Sequence, residues 1–418
     1  MTSRSTLLRM LTEACELEHG LACSYLYSAM TLKLQPDGER LPAEQAPIVR
    51  QWASQLYFIA SQEMLHLAQA WNLLTALGGT PYYLRPNFPQ NTKYYPLHLK
   101  LATEPYGEAA LDRFIAYEKP FELLTEHRFV QKAAAPRAAD GEAFVTIGQL
   151  YETIATAITE LPNAIIGAPE AQVGPDLVDF PDLVKVVDGA SALRAIQSVT
   201  HQGEGNKTDR ADCHFGIFIA LREALLAAKK HNPQFEPAHR ALSNPTTDIS
   251  EGYGAPHGTL IANAYAREVA TLFDALYSLM LRMLGYTFSP GGSAALRRAF
   301  GQGAIILMAT VVKPLGEALT SLPSGERSGA TAGPPFGLTR HVQLALDERA
   351  ARTLVSERFV ELAATLARLA QSPQANAGLA RVAASLARLT NSIGTLQTPI
   401  PGRSSERAPI NHQEMEAP

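Results

Sequence analysis

Two residues at helical spacing give this chain its clearest chemical signature. Glu63 and His66 stand three positions apart in the motif Glu-Met-Leu-His, within a run of helix-favouring residues from Trp52 to Leu77. Residues three positions apart lie on one face of an α-helix. A carboxylate beside an imidazole is the ligand mix that holds non-haem iron, manganese or zinc. The pair predicts a metal site, but Glu-x-x-His also arises by chance in many helices, so further ligands are needed.

Two more carboxylates fit the recipe for a dinuclear site in a helical bundle. That recipe takes one Glu from each of two helices and a Glu-x-x-His pair from each of the other two. Glu18 precedes Tyr25 by seven residues and shares its helix face, although an exposed helix charge is the alternative. Glu152 is the sole charge between Phe144 and Ile158, which predicts that it is buried. Buried charges are paired or bind metal.

The fourth ligand pair is irregular. The segment His201-Gln202-Gly203-Glu204 reverses the usual order of the motif, and His214 follows ten residues after Glu204. Either His201 or His214 could partner Glu204, and the alternative is a loop with a solvated Glu204. Tyr25 is a candidate catalytic residue, as a redox-active or hydrogen-bonding neighbour of the metals, or else an ordinary core tyrosine.

The elements that would position these residues are helices, and alternating strand patterns are scarce. The pattern predicts an all-α protein with a first unit over residues 1–231 and a C-terminal helical unit over residues 259–397. Residues 398–418 are polar and predict a disordered tail. Helices are predicted over residues 5–34, 42–77, 106–117, 146–161, 191–202, 213–230, 259–284, 293–322, 347–371 and 377–397.

Composition excludes several classes of protein. The 418 residues are 46% hydrophobic and 18% charged, with a net charge of −4, so neither nucleic acid nor an anionic membrane is an expected partner. Three cysteines without a Cys-x-x-Cys pair predict neither a disulfide framework nor a zinc–thiolate site. The N-terminus lacks a signal-peptide pattern, and the longest apolar run, residues 304–312, is too short to span a bilayer. A soluble cytoplasmic protein is expected.

Several motifs together resemble a known family. The sequence Glu18-His19 followed by Tyr25-Leu26-Tyr27, the motif at residues 63–67, Gln202 to Gly205 followed by His214-Phe215, and Ala332 to Phe336 resemble the ferritin-like domain of the iminophenyl-pyruvate dimer synthases. That family is associated with the violacein and indolocarbazole pathways, where its large proteins couple two oxidised tryptophan units. This chain is far shorter, so the resemblance does not carry the dimerising chemistry over to it.

The resemblance implies a ferritin-like four-helix bundle with a second helical unit beside it. It also implies a set of metal ligands and favours His214 over His201. The expected arrangement has one metal on the pair Glu63 and His66 and another on the pair Glu204 and His214. Of the remaining two glutamates, Glu18 and Glu152, one would be a terminal ligand of a single metal and the other would bridge both metals. The implied metal ligands are Glu18, Glu63, His66, Glu152, Glu204 and His214.

The predicted function is that of a non-haem di-iron oxidase or oxygenase. It would use O2 to oxidise a small, amino-acid-derived substrate in natural-product biosynthesis. Two irons per chain are expected, with manganese or a mononuclear site as alternatives, and an electron donor or a pathway enzyme is a possible partner. The alternative functions are an iron-handling or peroxide-detoxifying protein, and a non-catalytic structural partner with a vestigial metal site.

Overall fold

The protein is built of helices. The computed structural model describes residues 3–90, 100–120, 123, 146–161, 163–178, 180–203, 211–251, 254–325, 329–338 and 343–394. Within these ranges, regular strands are confined to β1 (Pro245–Thr246) and β2 (Thr259–Leu260), which pair in parallel. The helices are α1 Arg4–Thr31, α2 Ala46–Ala76, α3 Glu108–Tyr117, α4 Ile147–Glu160, α5 Gly189–Gly203, α6 His214–His231, α7 Ala264–Phe288, α8 Ala294–Leu307, α9 Lys313–Leu319, α10 Glu348–Ala370 and α11 Ala377–Gly394. The predicted all-α class is confirmed.

Local sequence signals set the ends of the helices that carry the site. The Ser3 side chain accepts a hydrogen bond from the backbone N–H of Thr6 and caps α1. The Thr146 side chain caps α4 in the same way. Each bond satisfies a backbone donor that the first helical turn leaves unpaired. Gly78 follows the C-terminal end of α2 and has φ +88°, a left-handed conformation that glycine adopts without steric cost.

The predicted helices are present, and their ends differ from the prediction by a few residues. The largest shift is in α7, which begins at Ala264 rather than at Thr259. Thr259 and Leu260 pair with β1 instead, and Asn263 then caps the helix by accepting from the Ala266 N–H. The predicted tail, residues 398–418, lies outside the described residues. The division into two domains stays a prediction. The buried apolar residues of both halves belong to one cluster.

Helices α1 and α2 form the centre of the fold. They pack along each other, α4 packs on α1, and α5 packs on α2, which makes a four-helix bundle. Helix α3 packs against α6, and α6 contacts α2 and α5. The C-terminal helices also contact the two long helices, since α7 packs on α2 and α9 packs on α1. The two long helices therefore contribute both to the bundle and to the packing with the C-terminal helices.

One helix contains a longer apolar stretch than the sequence analysis predicts. Helix α8, a π-helical turn at Met308–Val312, and α9 continue one another without a break over Ala294–Leu319, 26 residues in all. By length and composition alone this stretch could cross a membrane. The sequence analysis considers only its most apolar part, residues 304–312, which is too short to do so. Half of its most apolar window is buried within the protein.

Candidate metal centre

Five ligand-type side chains meet in the core beside α1 and α2. They are between 0% and 6% exposed, although charged side chains are almost never fully buried without a partner. Their ligand atoms form two groups, in each of which the atoms all lie within 4.8 Å of one another. The first group is Glu18, Glu63 and His66, and the second is Glu63, Glu118 and His214.

Glu63 belongs to both groups and lies between the two imidazoles. Its Oε2 is 3.1 Å from Nδ1 of His66, and its Oε1 is 2.9 Å from Nδ1 of His214. Glu18 Oε2 approaches the first imidazole at 3.5 Å, and Glu118 Oε1 approaches the second at 3.7 Å. The two rings are stacked, with centroids 5.6 Å apart. One carboxylate is thus shared by two sites that each contain one further carboxylate and one imidazole.

The outer nitrogen of each imidazole is held by a glutamine. Nε2 of His66 lies 3.0 Å from Oε1 of Gln202, and Nε2 of His214 lies 3.1 Å from Oε1 of Gln62. A carbonyl oxygen only accepts, so each Nε2 carries a proton and donates it. When Nδ1 is deprotonated, its lone pair then faces the carboxylates. Histidine ligands in metal sites are oriented by this kind of outer hydrogen bond.

The inner atoms fit a bound cation. Glu63 Oε1 and His214 Nδ1 are buried and 2.9 Å apart, yet neither has a hydrogen-bond partner among the described residues. This contact is an ion pair when Nδ1 carries a proton, and without that proton a cation must balance the buried carboxylate. Carboxylate oxygens and imidazole nitrogens are ligands that iron, manganese and zinc accept. The residues present therefore fit a metal ion in each group.

In the metal-free protein, protons take part of the cation's role. Burial lowers the pKa of His214, but the nearby carboxylates of Glu63 and Glu118 outweigh it and raise the pKa to about 9. Burial likewise opposes protonation of His66, and the same carboxylate with Glu18 holds its pKa well above the usual value. Burial raises the pKa of Glu18 to about 7. Metal binding would displace these protons, so its affinity should rise with pH.

Two tyrosines hold the outer carboxylates in place. The Tyr151 hydroxyl donates to Glu18 Oε1 at 2.7 Å, and burial raises the pKa of this tyrosine, which keeps its proton. The Tyr25 hydroxyl donates to Glu118 Oε1 at 2.5 Å. The candidate catalytic residue thus contacts a carboxylate of the centre, and its role in catalysis stays a prediction. A cavity of only about 20 Å³ adjoins these ligands.

The structure brings together four of the six residues that were expected as ligands: Glu18, Glu63, His66 and His214. Glu152 does not join them, because it is exposed on α4, and the prediction that it is buried is wrong. The neighbouring Tyr151 faces Glu18, and consecutive side chains of a helix point about 100° apart. Glu204 lies outside the described residues.

The two alternative histidines lie in different environments. His201 is exposed at the end of α5, whereas His214 is fully buried at the start of α6. The preference for His214 therefore agrees with where the side chains lie. Its function as a ligand stays a prediction.

Sequence reasoning missed Glu118, Tyr151 and the two glutamines. Glu118 directly follows α3 and precedes Lys119 and Pro120, so it resembles an ordinary polar helix end. The available signal is that Glu118, at the C-cap of α3, follows Phe114 by about one helical turn. It therefore continues the apolar face that Phe114 and Tyr117 form. Gln202 lies in one of the motifs that carry the family resemblance, but the contact of each glutamine with a histidine depends on packing across the bundle.

Comparisons with known proteins identify the family of the chain. A ferritin-like family profile matches residues 11–223, from within α1 to within α6. The chain is 28% identical over 401 residues to a dichlorochromopyrrolate synthase of Lentzea aerocolonigenes, covering 87% of this chain and 39% of the relative. It is 30% identical over 360 residues to a 2-imino-3-(indol-3-yl)propanoate dimerase of Chromobacterium violaceum, covering 80% of this chain and 34% of the relative.

The chain thus spans well under half the length of these two curated relatives. Among solved structures, a ferritin-like protein from Caulobacter vibrioides is 19% identical, with a TM-score of 0.47, and the match covers 72% of this chain and 93% of that one. The resemblance found in the motifs is confirmed by the profile and by the two enzymes.

Proposed function

Because this chain belongs to the ferritin-like family, we propose that it is a metal-dependent oxidase with a two-ion centre, and that iron is the native metal. The observation that carries the proposal is Glu63, whose two oxygens each face the Nδ1 atom of a different buried histidine. Glu63 would bridge the ions. Glu18 and His66 would complete one site, and Glu118 and His214 the other. Bound iron would supply the electron transfer to O2 that no amino-acid side chain provides.

The protein's own groups would hold the charges and protons of the site. Three carboxylates partly neutralise two divalent ions in a region of low dielectric constant. The glutamines keep both imidazoles in the orientation that presents Nδ1. The tyrosine hydroxyls on Glu18 and Glu118 hold the outer carboxylates and keep protons near the centre.

The proposed substrate is a small amine or imine derived from an amino acid, in natural-product biosynthesis. The names of the two relatives, a synthase and an imino-acid dimerase, support this class. The balanced reaction removes two hydrogens from the substrate and reduces O2 to H2O2. A neighbouring pathway enzyme or an electron donor is a further proposed partner. The three cysteines, all of them described, form no disulfide, which supports a reducing cytoplasmic location.

The proposal is tested by loading the protein with ferrous iron without oxygen and counting metal per chain by mass spectrometry. About two irons are expected, followed by oxygen uptake when amino-acid-derived amines are added. Glu63→Gln should abolish both the iron binding and the oxygen uptake. Glu152→Gln makes the same change at an exposed carboxylate and should lose neither. A folded protein that binds no iron, or bound iron that gives the same oxygen uptake with and without every amine, would refute the oxidase.

A peroxide-consuming or iron-handling protein is the second candidate. The cavity beside the ligands, about 20 Å³, holds one small molecule such as water, O2 or H2O2, since a water needs roughly 10–15 Å³. On this alternative, the iron-loaded protein would consume H2O2 rapidly, and no organic substrate would change its oxygen uptake. Measuring H2O2 loss and oxygen uptake in the same samples separates the two functions.

A further inference from the structure

A second cavity lies beside α1 and α2, separate from the metal centre. It encloses about 80 Å³ between these helices and α7, α8 and the π-helical turn. The two cavities share no lining residue among those described. On α1 the second cavity is lined by Ala22, Cys23 and Leu26, whereas Glu18 faces the metal centre.

The lining of this cavity suits flat apolar molecules. Aromatic rings and flexible thioethers dominate the wall, and ligand pockets are typically apolar with a few placed polar groups. Methionine side chains adapt to the shape of a ligand and contact aromatic rings favourably. The rings and thioethers are those of Trp71, Tyr277, Phe180, Phe288, Phe336, Met30, Met64, Met280 and Met308.

One end of the cavity is polar but uncharged. His19 Nδ1 donates to the Tyr83 carbonyl at 2.7 Å, and its Nε2 accepts from the Tyr277 hydroxyl. Cys23 Sγ lies 3.1 Å from the same tyrosine hydroxyl. This end suits one small hydroxyl or amine group of a ligand.

Three of the lining residues are partly exposed and give the cavity the features of an entrance. Met64, Met308 and Lys313 line it and are only half-buried. The Lys313 amine is 3.0 Å from Glu317, so its charge is already paired. Met308 begins the π-helical turn, and such turns are frequent at functional sites.

We propose that this cavity is a binding site for a neutral, planar aromatic molecule of one or two rings, distinct from the metal centre. The volume corresponds to roughly six waters, enough for a ring system of about ten non-hydrogen atoms. A charged ligand is disfavoured because Lys313, the charged amine among the described lining residues, is already paired with Glu317 and cannot replace the hydration of the ligand. An empty apolar cavity destabilises the core, so a ligand that fills it should bind favourably.

The chain provides its own reporter for the test. It has two tryptophans, Trp52 and Trp71, and only Trp71 lines the cavity. In a Trp52→Phe background, metal-free protein is titrated with 2-naphthol while the Trp71 emission is recorded. Saturable quenching is expected, with a Kd on the order of 10–100 µM for a ligand of this size. The metal is absent throughout, so the result does not depend on the proposed oxidase.

Matched substitutions on α2 locate the binding. Ala68 lines the cavity, so Ala68→Phe should fill it and weaken binding at least about tenfold. Ser54→Phe adds the same ring at an exposed position of α2 and should leave the Kd unchanged. If Ala68→Phe proves unfolded by circular dichroism, Ala22→Leu fills the same space from α1. Quenching that does not saturate, equal Kd values in the filled and control variants, or equally tight binding of naphthalene-2-sulfonate would overturn the proposal.

Discussion

Replacing Glu63 by Gln tests the metal centre even in the metal-free protein. Glu63 lies 2.9 Å from His214 and 3.1 Å from His66, and its charge is the largest favourable influence on protonation of either ring. Gln has nearly the same size and shape but no charge. The substitution therefore removes the electrostatic partner of two buried imidazoliums without opening a cavity.

The size of the effect follows from the pKa of His214. That pKa is raised from 6.5 to about 9, a difference that corresponds to about 3 kcal/mol. Because the pKa is higher in the folded state, this stabilisation is complete below pH 6.5 and is lost as pH rises through 9. We expect Glu63→Gln to lower the free energy of unfolding by about 3 kcal/mol at pH 6 and by less than about 1 kcal/mol at pH 9.5. His66 shifts in the same direction and adds to the difference.

The assay is urea unfolding of chelator-treated protein at both pH values. Glu152→Gln is the matched control, since the same chemical change at an exposed carboxylate should alter stability by no more than about 0.5 kcal/mol. An equal loss at pH 6 and at pH 9.5 would mean that Glu63 stabilises the fold by packing and hydrogen bonding alone. No loss at pH 6 would mean that the imidazoles are not paired with it. Either result would refute the reasoning.

The outer hydrogen bonds give two further predictions. Tyr151→Phe removes the donor to Glu18 and should weaken iron binding about 10–100-fold without abolishing it at saturating iron, as a competition titration with a chelator would show. Gln202→Leu should weaken only the site at His66, so that one of the two iron equivalents is lost first in the same titration, whereas equal loss of both would contradict two separate sites.

Helical periodicity explains why much of the fold could be predicted. Caps such as Ser3 and Thr146, and the left-handed Gly78, mark helix ends in the sequence itself. The start of α7 was misplaced because the pairing of Thr259 and Leu260 with Pro245 and Thr246 is a long-range contact that no local pattern contains.

The misplaced ligand shows where a local argument goes wrong. Glu152 was expected to be buried because its window holds no other charge. The buried face of α4 contains Leu150, Tyr151, Ile154, Ala157 and Ile158, a stripe at helical spacing from which position 152 is excluded. The spacing of the apolar residues is thus more informative than the isolation of the charge.

Glu118 could not be found in the same way, because its burial comes from packing between distant segments. Helix α3 lies against α6, and this contact brings the end of one helix beside the start of the other. The two ligands that they contribute are 96 positions apart in the chain. Only the tertiary structure shows that Glu118 Oε1 lies 3.7 Å from His214 Nδ1.

The arrangement of the centre argues against a purely structural cluster. Buried ion pairs are seldom more stabilising than apolar residues of the same volume, so stability alone does not account for three carboxylates and two imidazoles in the core. A structural network would also satisfy its members through hydrogen bonds, yet Glu63 Oε1 and His214 Nδ1 meet at 2.9 Å as an ion pair that lacks hydrogen-bond geometry. Both imidazoles also turn Nε2 to a glutamine and Nδ1 to the shared carboxylate. Two histidines with the same orientation around one carboxylate are accounted for by a pair of cations between them.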